Sequence, residues 1–348
     1  MDHKKSALIT GGSGYFAESL VKKLIGQGFK CSILDINKPS KDIIEKVTYY
    51  QVDIRDRDGV FNACKNIEYI FHNVAQVPLA KDKELFDSVN IYGTKNIIQA
   101  GLQHNCKHLV YTSSSAIFGV PDTNPVDETT IPRPQEAYGE AKLKGEQACI
   151  ESRNQGMQIS IVRPRTILGH GRLGIFQILF EWIYEGKKVP VFDKGDNLYQ
   201  FIHTDDLAEA CILAAIKGGD ETYNIGASNF NTMRGTLESL IKYAKTNSSI
   251  RSVPSTLIVP LMKLSSFLRL SPLGPYHALM YGKSMYFDIT KAQKELGWEP
   301  KYSNEEMIIE SYEYYIQNRE QILNENSKKS PHKSAIKQGV LSLIGRFL

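Results

Sequence analysis

The sequence predicts an α/β protein with a Rossmann-type, doubly wound parallel sheet and a smaller C-terminal substrate-binding lobe. Three observations carry this expectation. Short unbroken apolar runs alternate with helical patterns through the first half of the chain, as strands buried on both faces require. A glycine cluster separates the first run from the first helix. The second run ends in an acid, Asp35.

Taken in order, Ala7 to Thr10 reads as the first strand, followed by a helix from about Tyr15 to Ile25. Further strands are expected at 31–35, 47–53, 69–74, 108–113 and 158–162, with helices over 84–103 and 136–152 between them. After about residue 164 the pattern loosens. Helices are expected at 174–185, 204–216, 232–245, 255–269 and 304–320, with strand-like pieces at 189–192 and 223–225. The expected division is a Rossmann domain over 1–165, with later segments returning to it, and a substrate lobe mainly over 166–323. A polar linker (324–334) and an amphipathic tail (335–348) complete the chain.

Composition bounds the function. The chain has 348 residues, 42% hydrophobic and 23% charged, which is ordinary for a globular protein with a full core. Its 42 basic and 38 acidic residues leave +4, so a strongly basic nucleic-acid binder is excluded. The cysteines Cys31, Cys64, Cys106, Cys149 and Cys211 form no CxxC pair, which argues against a disulfide scaffold and a structural zinc site; no metal is expected. No signal-peptide pattern follows Met1, and no apolar run reaches the roughly 18 residues of a membrane span, so the cytoplasm is the expected compartment.

Thr10-Gly11-Gly12-Ser13-Gly14-Tyr15-Phe16-Ala17 joins the first strand to the first helix. Gly11 and Gly14 permit a tight turn whose backbone N–H groups approach a pyrophosphate at the helix N-terminus, and small Ala17 permits close helix–sheet packing. A glycine-rich turn without a ligand is the competing reading. Asp35 sharpens the choice: a carboxylate about 20 residues further on can accept the ribose hydroxyls and repel a 2′-phosphate, favouring NAD over NADP. Asp53 and Ile54 are placed to meet the adenine, although Asp53 could equally cap the next helix.

Tyr138 and Lys142 stand at i and i+4, on one helical face. A lysine cation beside a phenol favours the tyrosinate, which can exchange a proton with a carbinol during hydride transfer. The fifth strand ends in Tyr111-Thr112-Ser113-Ser114-Ser115, and a serine there can hydrogen-bond the reacting oxygen. Ser115 is the first choice and Ser114 the second; a polar strand end bonded to the next loop is the alternative.

Together these pieces resemble the extended short-chain dehydrogenase/reductase family, which includes nucleotide-sugar epimerases, sugar dehydratases and 3β-hydroxysteroid-dehydrogenase-like enzymes. The likeness also rests on His72-Asn73-Val74-Ala75, Asn90 to Thr94, Ser113 to Gly119, Arg163-Pro164, Phe201 to Ala208, Tyr223 to Gly226 and Lys291 to Trp298, in order over most of the chain. It implies NAD held by Gly11, Gly14, Tyr15, Phe16, Asp35, Asp53, Ile54, Val74, Ala75, Asn90, Tyr138, Lys142 and Arg165. It implies catalysis by Ser115, Tyr138 and Lys142, with substrate at Ser114, Ser115, Arg165, Arg172 and Tyr199. The implied activity is NAD-dependent epimerase/dehydratase-type chemistry on a secondary alcohol of a nucleotide- or lipid-linked sugar. The alternatives are oxidation of a steroid-like or other lipid alcohol, and a non-catalytic NAD-binding scaffold. The expected assembly is a homodimer.

The sequence departs from the sugar-nucleotide pattern at two places. Tyr199 stands where the resemblance implies a pyrophosphate-binding arginine, and only Lys283 supplies a cation where a second is expected. Lysine lacks the bidentate fork. The runs at 175–183 and 257–262 are rich in large apolar groups; ordinary core helices are the first reading and an apolar substrate wall the second. In the tail, Ile336, Val340, Ile344 and Phe347 form an apolar stripe near Lys333, Lys337 and Arg346, a pattern suited to weak contact with an anionic membrane surface or to docking on protein.

Overall fold

The computed structural model describes residues 4–76, 83–171, 173, 176–267 and 280–324. Arg172, most of the linker and the whole tail lie outside the described residues.

The chain runs β1 (Ser6–Thr10), α1 (Tyr15–Gly26), β2 (Lys30–Asp35), α2 (Lys41–Ile44), β3 (Thr48–Gln51), α3 (Arg57–Ala63) and β4 (Tyr69–His72). It continues through α4 (Lys83–Phe86), a π-helical turn (Asp87–Tyr92), α5 (Gly93–Gln103), β5 (His108–Thr112), a short 3-10 turn (Ser115–Phe118), α6 (Ala137–Glu151) and β6 (Gln158–Pro164). Next come β7 (Thr166–Leu168), α7 (Phe176–Tyr184), β8 (Val189–Phe192), β9 (Leu198–Tyr199), β10 (Phe201–His203), α8 (Thr204–Lys217) and β11 (Thr222–Ile225). The remaining described elements are β12 (Asn231–Thr232), α9 (Met233–Ala244), β13 (Ile250–Val253), α10 (Ser255–Phe267), α11 (Thr290–Leu296) and α12 (Asn304–Asn324).

Among the described residues the main sheet has seven strands in the order β11-β6-β5-β4-β1-β2-β3, all parallel. Its central strands are apolar on both faces because helices cover both: every residue of β5 is buried, and all of β6 beyond Gln158. The strand order reverses between β1 and β4, which opens a crevice at the C-terminal ends of those strands. The carboxyl ends of β1, β2, β4 and β5 carry the glycine turn, Asp35, Asn73 and the serine run.

The segments beyond β6 are shared between two apolar cores. α8, β11 and α11 join the core of the main sheet through Leu207, Tyr223, Ala292 and Trp298. A second core gathers α7, β8, α9 and α12 around Phe180, Val189, Leu237 and Tyr315. Residues 176–183 of α7 are all buried, so this run is core helix as the first reading held. Leu257, at the start of α10, is 65% exposed, so the two apolar runs do not share one environment. All five cysteines are buried and free. No helix among the described residues is long and apolar enough to cross a membrane.

Candidate active site

The glycine turn is built by close approach. Gly11 has φ +67°, and a Cβ there would come within 3.0 Å of the Val74 amide nitrogen, so only glycine lets the β1 turn lie against the segment after β4. Gly14 precedes α1 and gives it no side-chain cap, which leaves the first-turn N–H groups available to an anion. Tyr15 and Phe16 are buried; Tyr15 donates its phenol to the Gly169 carbonyl beyond β7. Both lie in that uncapped first turn of α1.

Asp35 closes the same corner. It is 8% exposed and accepts hydrogen bonds from Ser13 N at 3.1 Å and Asn37 N at 2.8 Å. Burial pushes its carboxyl up from the usual value, against the pull of those N–H donors. The uncapped helix start and the acid at the end of β2 fit the pyrophosphate and ribose of a dinucleotide.

Asp53 grips Arg55 with both carboxylate oxygens, at 2.9 and 2.6 Å. The cap of α3 is Asp56, not Asp53. Ile54 is buried against Gly93 at the start of α5. Asn90 sits in the π-helical turn, where its side chain accepts from Gln76 N at 2.7 Å and donates to Gln76 O at 3.2 Å. It therefore braces the segment that carries Val74 and Ala75. His72, missed in the sequence as a brace, bonds Thr10 and Thr94 at 2.7 and 3.0 Å; burial, then the nearby Lys142 charge, pushes it down to about 3, so it is neutral.

Helix α6 begins at a Glu136 cap, whose carboxylate accepts from Tyr138 N and Gly139 N. A Cβ on Gly139 would lie 2.5 Å from the Ala116 carbonyl oxygen. Glycine therefore lets α6 press on the 3-10 turn that starts at Ser115. Tyr138 is half-buried, with the Phe86 ring centroid 6.4 Å from its own. One turn along, Lys142 is 2% exposed and donates to the Thr112 carbonyl at 2.7 Å. Its ammonium also lies 4.9 Å from the centre of the Tyr111 ring. Burial lowers the Lys142 pKa to about 8, against the opposing pull of Glu146. Glu146 is itself held by Arg163 in a buried two-point pair, at 2.9 and 2.7 Å.

The three serines play different parts. Ser113 Oγ is buried without a hydrogen-bond partner among the described residues. Ser114 is partly exposed and caps the 3-10 turn by accepting from Ala116 N at 3.2 Å. Ser115 is buried and accepts from Arg165 Nη1 at 2.8 Å, so its O–H proton is left to donate. Tyr199 is buried in β9 with its hydroxyl 3.0 Å from Thr166 Oγ1, and Arg165 lies over its ring. Lys283 is exposed. A neighbouring cluster was also missed: His170 lies 2.9 Å from Asp205 and 3.1 Å from Glu310, while His203 lies 2.9 Å from Glu310. These partners, Asp205 first, raise His170 to about 10, and their hydrogen bonds pin the loop after β7.

Comparison with known proteins bears on the family, the fold and the cofactor. The family model for the NAD dependent epimerase/dehydratase family matches residues 7–226. The chain is 50% identical to the uncharacterized protein y4nG of Sinorhizobium fredii, over 98% of this chain and 85% of that one. It is 25% identical to the human sterol-4-alpha-carboxylate 3-dehydrogenase, decarboxylating, over 85% of this chain and 84% of that one. Among solved structures, UDP-glucose 4-epimerase of Thermotoga maritima superposes with a TM-score of 0.74 at 24% identity, covering 90% of this chain and 99% of that one. That likeness is one of fold; MoeE5, another structure of this fold (TM-score 0.73), was solved with NAD. The chain belongs to the NAD dependent epimerase/dehydratase family, and NAD is its cofactor.

Proposed function

We propose that this chain moves a hydride between NAD and a secondary alcohol of a sugar, nucleotide- or lipid-linked. The observation that carries this reading is the placement of Lys142. Its ammonium is buried on the Thr112 carbonyl at the end of β5, and its helix carries Tyr138 one turn earlier. NAD, when bound, supplies the hydride acceptor. Tyr138 takes the hydroxyl proton as the carbinol C–H bond breaks, and the Lys142 charge favours the tyrosinate. The Ser115 hydroxyl, with Ser114 as second choice, orients the carbinol oxygen.

A second reading is oxidation of a steroid-like or other lipid alcohol. Tyr199 favours it: this side chain is buried against Thr166 and Arg165 at a position where a sugar-nucleotide enzyme is expected to carry a pyrophosphate-binding arginine. The sterol dehydrogenase relative supports the same reading by its name. Incubation with NAD and a panel of UDP-sugars and 3β-hydroxysteroids separates the two. Sugar epimerisation with no accumulated NADH supports the first, and NADH formed on a steroid supports the second. Bound NAD with no turnover of any carbinol would overturn both and leave a nucleotide-binding scaffold.

A further inference from the structure

We propose that Arg165 binds a carboxylate carried by the substrate beside its reacting carbinol. This rests on the reading above for the position of the reacting carbon, which Ser115 marks. Arg165 follows β6 directly and is 1% exposed. Its Nη1 donates to Ser115 Oγ at 2.8 Å and lies 3.3 Å from Met285 Sδ. Its Nε and Nη2 are buried and have no acceptor. Among the described residues, no carboxylate lies within ion-pair distance of it.

The same strand shows the arrangement that is missing. Arg163 gives its Nε and Nη2 edge to the two oxygens of Glu146, at 2.9 and 2.7 Å, and that pair is buried. Arg165 has the identical edge empty. A buried guanidinium keeps its charge, and unmet N–H donors in an apolar setting are costly. The Tyr199 and Phe287 rings, with centroids 5.0 and 5.7 Å from Arg165 Cζ, offset the charge only in part.

The pattern of donors selects the anion. One fork edge offers two parallel donors, which match the two oxygens of a planar carboxylate. The guanidinium is in contact with a phenol ring, a phenyl ring and a thioether, and Lys283, the cation on the same segment as Met285 and Phe287, faces solvent. A phosphate can take the same fork edge, but its further charge gains nothing from Lys283, which faces solvent. Because Nη1 of the same guanidinium holds Ser115, a carboxylate on the free edge lies beside the oxygen that Ser115 orients. Arg165 would then select hydroxy acids over the matching neutral alcohols.

Calorimetry on the NAD-loaded protein tests this with 3-hydroxybutyrate and glucuronate, each against its methyl ester. Wild type is expected to bind the acids at least tenfold more tightly than the esters. Arg165→Met should lose that preference, and Arg165→Lys should recover it only in part, lacking the fork. Without added acid, Arg165→Met should melt no lower than wild type, since an unpaired buried charge has been removed. Three results would overturn the proposal: no preference for acids in wild type, a preference that persists in Arg165→Met, or a matching loss of NAD affinity, which would give the free edge to the cofactor. Binding needs no turnover, so Tyr138→Phe should show the wild-type preference. A failed hydride reading and a failed carboxylate site are therefore read separately.

Discussion

Lys142 is the residue on which burial and charge compete most directly. Burial brings its pKa from the ordinary lysine value to about 8, so the folded protein holds the proton less tightly than the unfolded chain. The ammonium is present below about pH 8 and is lost as pH rises through that value. Its support for the tyrosinate is lost with it. We therefore expect kcat/KM, which reports the free enzyme, to fall above about pH 8. A profile still rising at pH values well above this would show that Lys142 keeps its charge. At this scale the sequence was informative where spacing carries meaning: Tyr138 and Lys142 share a helical face, and Asp35 ends β2 beside the glycine turn. The Arg165–Ser115 bond was not legible. Its partners are 50 residues apart and belong to no local pattern. The part played by Asn90 was hidden for the same reason, since it works through the backbone of Gln76.

At the scale of elements, α6 is the part that sets the geometry of the chemistry. Gly139 allows it to rest on the 3-10 turn, and an added methyl there meets a carbonyl oxygen rather than a movable side chain. Gly139→Ala should cost about 1–3 kcal/mol of stability through overpacking. It should also lower kcat/KM, because relief requires Tyr138 and Ser115 to move apart. Thermal melts and steady-state kinetics on the same preparation check this, and full activity in the variant would show that α6 tolerates the shift. The strands of the main sheet were legible because runs such as Leu109–Val110 in β5 and Ala7–Ile9 in β1 are unbroken apolar stretches. The helix expected over 84–103 exists, but it includes the π-helical turn Asp87–Tyr92, which one extra residue per turn hides from a periodicity reading. The two-residue strands β9 and β12 were missed, since two residues show no period.

For the whole molecule, the chain beyond residue 165 is shared between the core of the main sheet and a second core. α8, β11 and α11 return to the main core, as the sequence pattern allowed. We propose that the tail beyond residue 334 makes weak contact with an anionic membrane surface. The Ile336, Val340, Ile344 and Phe347 stripe supplies the apolar face and Lys333, Lys337 and Arg346 the attraction, at about 1 kcal/mol per charge. Deleting residues 331–348 should leave NAD affinity intact and abolish co-sedimentation with anionic vesicles. If the full chain ignores those vesicles, or the deletion unfolds the protein, the segment docks on protein instead. The homodimer proposal is open to the same preparations through their sedimentation mass.

The central claim is that Tyr138 carries the proton while Lys142 and the serine run hold the alcohol and the charge in place. Tyr138→Phe tests it most directly, measured for turnover and for NAD binding together. The variant should bind NAD as the wild type does and lose about 10²–10⁴-fold in rate, the usual contribution of a positioned acid or base. Retention of more than roughly a tenth of the wild-type rate, with NAD still bound, would contradict the account.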